Sequence, residues 1–302
     1  MVRSRSRAWY AAVAIAFFVM ADLIRLALRP LRLSRFLSSD GILGIRDTLQ
    51  VGFAWLGASV SAGRLRGSAR ELGLCHSPWP ALQFGFVASL PMLVGFALTS
   101  RVNSRLDLVS VGVGCFLAPF AEEVLFRGYL FRQLYARARL GFLASALIPS
   151  VLFALGHLYQ STNPSEVLGI LAITGLGSVL GCWILLRWQM NLWTVVVLHS
   201  LMNLWWEVFA VDTTALGGWS ANAARLGTIA LAILLTIFKD RIWGADGNTD
   251  AHTPPPTTRP AGEETREERM GQSTNPDFGK RRRRAIASIA IWTDWSDQGA
   301  RS

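Results

Sequence analysis

Two adjacent carboxylates in an apolar setting are the residues of this chain best suited to chemistry. Glu122 and Glu123 lie in the stretch AEEVLFRG, residues 121–128, with Arg127 four positions after Glu123. On a helix, positions four apart share a face while neighbours diverge by about 100°. Glu123 and Arg127 therefore stack, and Glu122 points elsewhere. A carboxylate at bilayer depth costs roughly 2.5–3.5 kcal/mol even on the lenient insertion scale, so such groups normally face protein or water and serve a purpose. An ion pair accounts for Glu123 and Arg127 but leaves Glu122 over. A second carboxylate beside a paired one, short of solvent and facing like charge, is in the setting that a general base working near neutral pH requires.

The chain has 4 histidines, of which His157 in FALGHLY and His199 in VLHSLMN fall within apolar stretches. His76 and His252 fall in a connection and in the tail. Asn203 follows His199 by four positions and shares its face, offering an amide that could donate to a developing oxyanion. Phe153 precedes His157 by the same interval and reads as a packing residue that fixes the imidazole. Each has an ordinary structural explanation alone; two buried histidines with a Glu pair point to a shared site. Counting back from a turn near Arg139, Glu122 and His157 both lie some 26 Å deep at about 1.5 Å per residue, whereas His199 lies only about 15 Å beyond a turn near Gln189. The two depths agree if the hairpin FRQLYARARL projects beyond the membrane.

The elements that must position these residues are membrane helices. Of 302 residues, 51% are hydrophobic and only 17% charged, far more apolar than a soluble domain of this size needs. Eight stretches approach the roughly 20 apolar residues of a spanning helix. They run at about 8 to 28, 45 to 63, 80 to 99, 107 to 126, 141 to 159, 166 to 187, 191 to 210 and 222 to 238. The second is the weakest, being short, polar in places and flanked by GIRD, so an interfacial helix is an alternative there. The basic start MVRSRSR and the apolar run after it resemble a signal peptide, but no small-residue cleavage site follows and an uncleaved first span is preferred. The expected fold is all-α: a polytopic membrane helix bundle of about eight transmembrane helices with a disordered C-terminal tail.

Charge sets the expected orientation. Arg132, Arg137 and Arg139 follow the fourth stretch and Arg64, Arg66 and Arg70 the second, while QSTNPSE after the fifth has neither Lys nor Arg. The arginine-rich connections are thus expected in the cytoplasm, with both termini there in a plasma-membrane protein; Arg29, Arg32 and Arg35 run against this pattern. The net charge of +10 collects in connections and at the C-terminus rather than along one face, which speaks against nucleic acid as a partner. Residues 1–242 are expected to form the transmembrane domain and residues 243–302, rich in Pro, Gly, Thr and charge, a disordered cytoplasmic tail. Within that tail KRRRR, residues 280–284, is an anionic-lipid candidate, and AIASIAIW is too short to span. Cys75, Cys115 and Cys182 form no disulfide framework and no thiolate metal spacing.

Taken together, EEVLFR at 122–127, FALGH at 153–157 and HSLMN at 199–203 resemble the three motifs of the CAAX protease and bacteriocin-processing (CPBP, Abi) family of intramembrane peptidases: Glu-Glu-x-x-x-Arg, Phe-x-x-x-His and His-x-x-x-Asn. Each motif is weak alone, and their order on successive apolar helices makes them specific. The resemblance covers roughly residues 80–210. It implies a peptidase whose Glu122 activates water, whose His157 helps hold that water, and whose His199 and Asn203 stabilise the tetrahedral intermediate, with Glu123, Arg127 and Phe153 in support. No cofactor is required in this reading. The alternative is a zinc site with Glu122, His157 and His199 as ligands, a familiar three-ligand set; the metal-free route is favoured because Glu123, the remaining base, points to Arg127. The partners expected are a peptide or membrane-protein substrate, of CAAX or other lipid-modified type, and the lipid bilayer.

Two rival classes stay open. Intramembrane Glu and His chains also serve as proton relays in transporters, although no convincing internal repeat accompanies them here. The same scaffold could also serve as a non-catalytic immunity or interaction protein.

Overall fold

The computed structural model describes residues 5–28, 36–63, 65–212 and 214–244. Arg29, Arg32, Arg35, Arg64 and the expected tail from residue 245 onward lie outside the described residues, as do KRRRR and AIASIAIW.

Among the described residues there is no strand, and eight long helices account for the fold. They are α1 (Arg7–Leu28), α2 (Ser39–Ala62), α3 (Trp79–Thr99), α4 (Leu108–Arg137), α5 (Phe142–Gly156), α6 (Pro164–Arg187), α7 (Trp193–Val208) and α8 (Trp219–Ile237). Each of the eight apolar stretches is thus helical. Six of the helices, α1, α3, α4, α5, α6 and α8, are long and apolar enough to cross a membrane. The exact count of about eight spans is not confirmed: α2 carries Arg46, Asp47 and Gln50 along its length, and α7 has 16 residues.

Local chemistry sets the helix limits. Ser38 caps α2 by accepting from the Gly41 N–H, and Gly63 closes it in the left-handed conformation at φ 69°, the pairing expected of a Ser N-cap and a Gly C-terminal stop. Asn163 caps α6 with Pro164 at its first position. Asp107 caps α4, accepting from the Ser110 N–H at 2.8 Å and from its hydroxyl. Those donors hold the Asp107 carboxyl below the usual carboxylate range.

The short helix α7 is pinned at both ends. At its start Leu192 N–H donates to the Gly73 carbonyl, and the indole of Trp193 to the Leu74 carbonyl. At its end Asn103 N–H donates to the Val208 carbonyl and the Asn103 amide to the Glu207 carbonyl. α4 runs through the middle, packed on α1, α2, α5 and α7, while α3 packs on α7 and α8 and α5 on α6.

The winding of α4 departs from the α-helix that its periodicity suggests. Gly112–Leu117, Glu123–Phe131 and Gln133–Arg137 are π-helical, with bonds reaching five residues back, a rare winding that recurs at functional sites. Pro119 accounts for one consequence. In the first π segment Ala118 N–H reaches the Val113 carbonyl, so the next carbonyl, that of Gly114, would take its bond from residue 119. Proline has no N–H to give, and Gly114 is left open.

Candidate active site

Glu123 sits at the centre of a buried network. Its Oε1 lies 2.9 Å from His199 Nδ1 and 3.1 Å from Arg127 Nη1, and the side chains of Glu123 and Arg127 are 3% and 4% exposed. The Arg127 contact has ion-pair distance without hydrogen-bond alignment, since Nη1, Nε and Glu123 Oε2 make no hydrogen bond among the described residues. The guanidinium instead lies over the Phe153 ring, 4.4 Å from its centroid, and beside Gly181 of α6. A desolvated cation over an aromatic face is attracted by the ring quadrupole. Arg127 is thus clamped between α4, α5 and α6.

Because a carboxylate can only accept, His199 Nδ1 carries the proton it shares with Glu123, and the opposite nitrogen is left to act. That nitrogen, Nε2, lies 3.9 Å from Glu122 Oε2. Both Glu122 and His199 retain about a quarter of their side-chain exposure, 25% and 24%, while Glu123 is sealed. The two neighbouring carboxylates therefore have different surroundings: one is fixed by an ion pair and an imidazole, the other is partly open and faces the free nitrogen of that same ring.

His157 is placed differently. It ends α5, with its Nδ1 2.7 Å from the Phe153 carbonyl oxygen. A carbonyl also only accepts, so Nδ1 donates and Nε2 presents a lone pair. The Phe153 ring stands 4.5 Å from the His157 ring and 6.4 Å edge-to-face from that of His199, so both imidazoles rest on one phenylalanine. Phe126, behind it, packs edge-to-face at 5.1 Å. Asn203 Nδ2 donates, at 3.4 Å, to the Gly114 carbonyl that Pro119 leaves open.

Gly128 of α4 abuts Leu192 at the start of α7, so the residues after it project past the end of α7, and Glu123 meets His199 despite their unequal distances from the turns.

Several residues around the site carry no motif in the sequence: Phe126, Gly181 and Gly114 with Pro119; Asp47 of α2 is a further buried carboxylate. Asp47 had one visible sign, the polar GIRD in an otherwise apolar stretch. Among the described residues no three His, Cys, Asp or Glu side chains converge to hold a metal ion.

An apolar cavity of about 760 Å³ opens between α3, α4 and α7, lined by Leu82, Phe86, Phe116, Phe120, Val197 and Leu201 among others. It touches α7 at Ser200 and Leu201 beside His199, but no motif carboxylate or imidazole lines it.

A buried Glu/His cluster thus lies within a bundle of apolar helices. Residues 104–205 match the family described as type II CAAX prenyl endopeptidase Rce1-like. The matched segment, about a third of the chain, holds all three motifs and is similar to that family. That family implies protease activity on a peptide or membrane-associated substrate, and with the six apolar helices it marks an integral membrane protein. No curated protein and no solved structure matches the chain.

Proposed function

We propose that this protein is an intramembrane endopeptidase that hydrolyses peptide bonds near the C-terminus of lipid-modified, CAAX-type substrates, with Glu122 as the base and without a metal. The observation that carries the reading is the placing of the two glutamates on either side of His199. Glu123, neutralised by Arg127, orients His199 much as a buried carboxylate orients a catalytic imidazole. Glu122 and His199 Nε2 then face the same point, where a water can be held.

Glu122 takes a proton from that water as its oxygen attacks the scissile carbonyl, forming the new C–O bond. The proton passes to the leaving amine as the C–N bond breaks. Asn203 supplies a hydrogen bond to the oxyanion, and His199 supplies a second through Nε2 in its imidazolium form, with both ring nitrogens carrying protons; His157 accepts a hydrogen bond from the water through its free Nε2, and Phe153 holds both rings. The apolar cavity beside His199 suits the isoprenoid or acyl chain of the substrate. The arginine bias of the connections supports cytoplasmic termini in a plasma-membrane protein. Residues 1–242 would form the peptidase domain.

The test is cleavage of a farnesylated, fluorophore-labelled CAAX peptide by the full chain in lipid nanodiscs. Glu122→Gln should abolish cleavage, and a zinc chelator should leave the wild-type rate unchanged. Cleavage by Glu122→Gln at the wild-type rate would overturn Glu122 as base, and loss of activity to the chelator, restored by zinc, would overturn the metal-free route. Proton flux in reconstituted vesicles that depends on Glu122, with no cleavage, would favour the relay reading.

A further inference from the structure

The apolar cavity accounts for the lipid of a CAAX-type substrate and leaves the other end of the peptide without a partner. In such a peptide the lipidated cysteine is fourth from the end, so cleavage after it releases three residues, the last bearing a free carboxylate. The cavity meets α7 between Trp193 and Leu201, a stretch that lies mostly ahead of His199. With the lipid there, the residues beyond the scissile bond run toward the end of α7.

Trp206 follows His199 by two turns and so returns to the same face about 10 Å further on. Its ring lies under the guanidinium of Arg225 from α8, whose Cζ is 4.8 Å from the ring centroid, and its tip abuts Gly217. Helix α6 gives an independent measure of the same rise. Its Gly175 lies against Ala154, next to the Phe153 on which both imidazoles rest, and its Gly169 against Leu216, whose carbonyl accepts from Arg225. The helix between those two contacts rises about 9 Å. Three extended residues span about 10 Å. The terminal carboxylate of a CAAX-type substrate held at His199 therefore reaches the level of Arg225.

The guanidinium has an edge to receive it. Nη1 donates to the Leu216 carbonyl at 3.1 Å and to Asn222 Oδ1 at 2.8 Å, and Nη2 donates to the Ala215 carbonyl at 3.5 Å. Both hydrogens of Nη1 are thereby used, whereas Nε and one hydrogen of Nη2 find no acceptor among the described residues. Those two lie on one edge of the guanidinium and match the two oxygens of a carboxylate. Neither nitrogen is sealed from water, as the unpartnered nitrogens of Arg127 are. Arg225 is half-buried, and among the described residues it forms no ion pair. A partly desolvated cation without an anion is costly, and the face of Trp206 offsets only part of that cost.

We infer that Arg225 binds the C-terminal carboxylate of the peptide substrate through Nε and Nη2, and so sets how many residues lie beyond the scissile bond. The substrate then runs along α7, with its lipid toward Trp193 and its carboxylate at Trp206. Arg225 takes no part in bond breaking; it fixes where the chain ends. The assignment rests on the CAAX-type substrate of the proposed function, but not on Glu122 as the base.

Binding without turnover tests it. Two fluorophore-labelled farnesylated CAAX peptides, one ending in the free acid and one in the amide, are titrated by fluorescence anisotropy into the full-length Glu122→Gln chain in nanodiscs. The acid should bind about 10- to 100-fold more tightly, the range of a charge-assisted pair; equal affinities, or binding of neither peptide, overturn the proposal. Adding Arg225→Gln should bring the ratio to about one, and Arg225→Lys, which keeps the charge without the paired donors, should keep only part of it. If Arg225 merely clamps the loop at 215–216, Arg225→Gln weakens both peptides alike and the preference for the acid survives, which also overturns the proposal. The same two peptides are then offered to the wild-type chain, where the preference should appear in kcat/KM. Selective binding of the acid through Arg225 with cleavage of neither peptide would overturn the peptidase reading and support the carboxylate site.

Discussion

His199 and His157 are two imidazoles resting on the same phenylalanine, yet their settings differ. His199 lies within α7 and is held by a carboxylate that is itself held by a buried arginine, so its orientation depends on α4, α5 and α6 together. His157 ends α5 and is held by the carbonyl of its own helix one turn back. The first is fixed by charge across helices and the second by local backbone. A group placed by a buried network is costly to disturb, whereas one placed by a helix end depends mainly on its neighbours in sequence.

The most damaging way to break this contrast is to remove Arg127. Arg127→Met leaves Glu123 charged, buried and paired only with an imidazole, and breaking a buried ion pair from one side costs about 3–5 kcal/mol. The expected outcome is a large fall in Tm in detergent or a failure to accumulate in the membrane. The double variant Arg127→Met with Glu123→Gln should recover much of that loss, since no unpaired charge remains. A Tm for Arg127→Met close to wild type would show that the pair bears little of the packing between α4, α5 and α6.

The histidines themselves sharpen the comparison. His199→Leu removes a charge-assisted bond to Glu123, about 1.5–3 kcal/mol, whereas His157→Leu removes one bond to a carbonyl, about 1 kcal/mol. Both variants should lose cleavage of the farnesylated peptide, so activity does not separate them and Tm does. Equal Tm losses would place His157 in the same network and remove the distinction.

The sequence and the structure diverge along the same line. The helices were legible because an apolar stretch needs only its length and composition to be read, and the stacking of Glu123 on Arg127 followed from spacing alone. The bond from His199 to Glu123, with Glu122 facing the other ring nitrogen, was not legible. It depends on how two helices 76 positions apart are rotated against each other, which no local pattern encodes. The π winding escaped as well: apolar residues recur along α4 in either winding, and only Pro119 hinted that the backbone bonds could not be regular. Asp47 looked like a flaw in a weak span, because its burial is decided by helices packed against α2, which no local pattern encodes. The six helices of spanning character show the converse limit: α2 and α7 have apolar faces, but polarity in one and brevity in the other keep them out of the six that are long and apolar enough to cross a membrane.

The smallest effect concerns Asn203, where the open carbonyl of Gly114 gives the amide a second task beside the oxyanion. Asn203→Leu deprives that carbonyl of its donor and should cost about 1 kcal/mol, the order of one ordinary hydrogen bond. Pro119→Ala returns an N–H to the position from which the π turn would satisfy Gly114. In the double variant the stability lost through Asn203→Leu should therefore be largely regained, while cleavage stays impaired because the oxyanion has still lost its donor. The two tasks are separated by measuring Tm and kcat on the same four proteins. If Pro119→Ala restored both, Asn203 would act on catalysis only through the winding of α4. If it restored neither, the carbonyl of Gly114 would have no claim on the amide, and Asn203 would belong to the reaction alone.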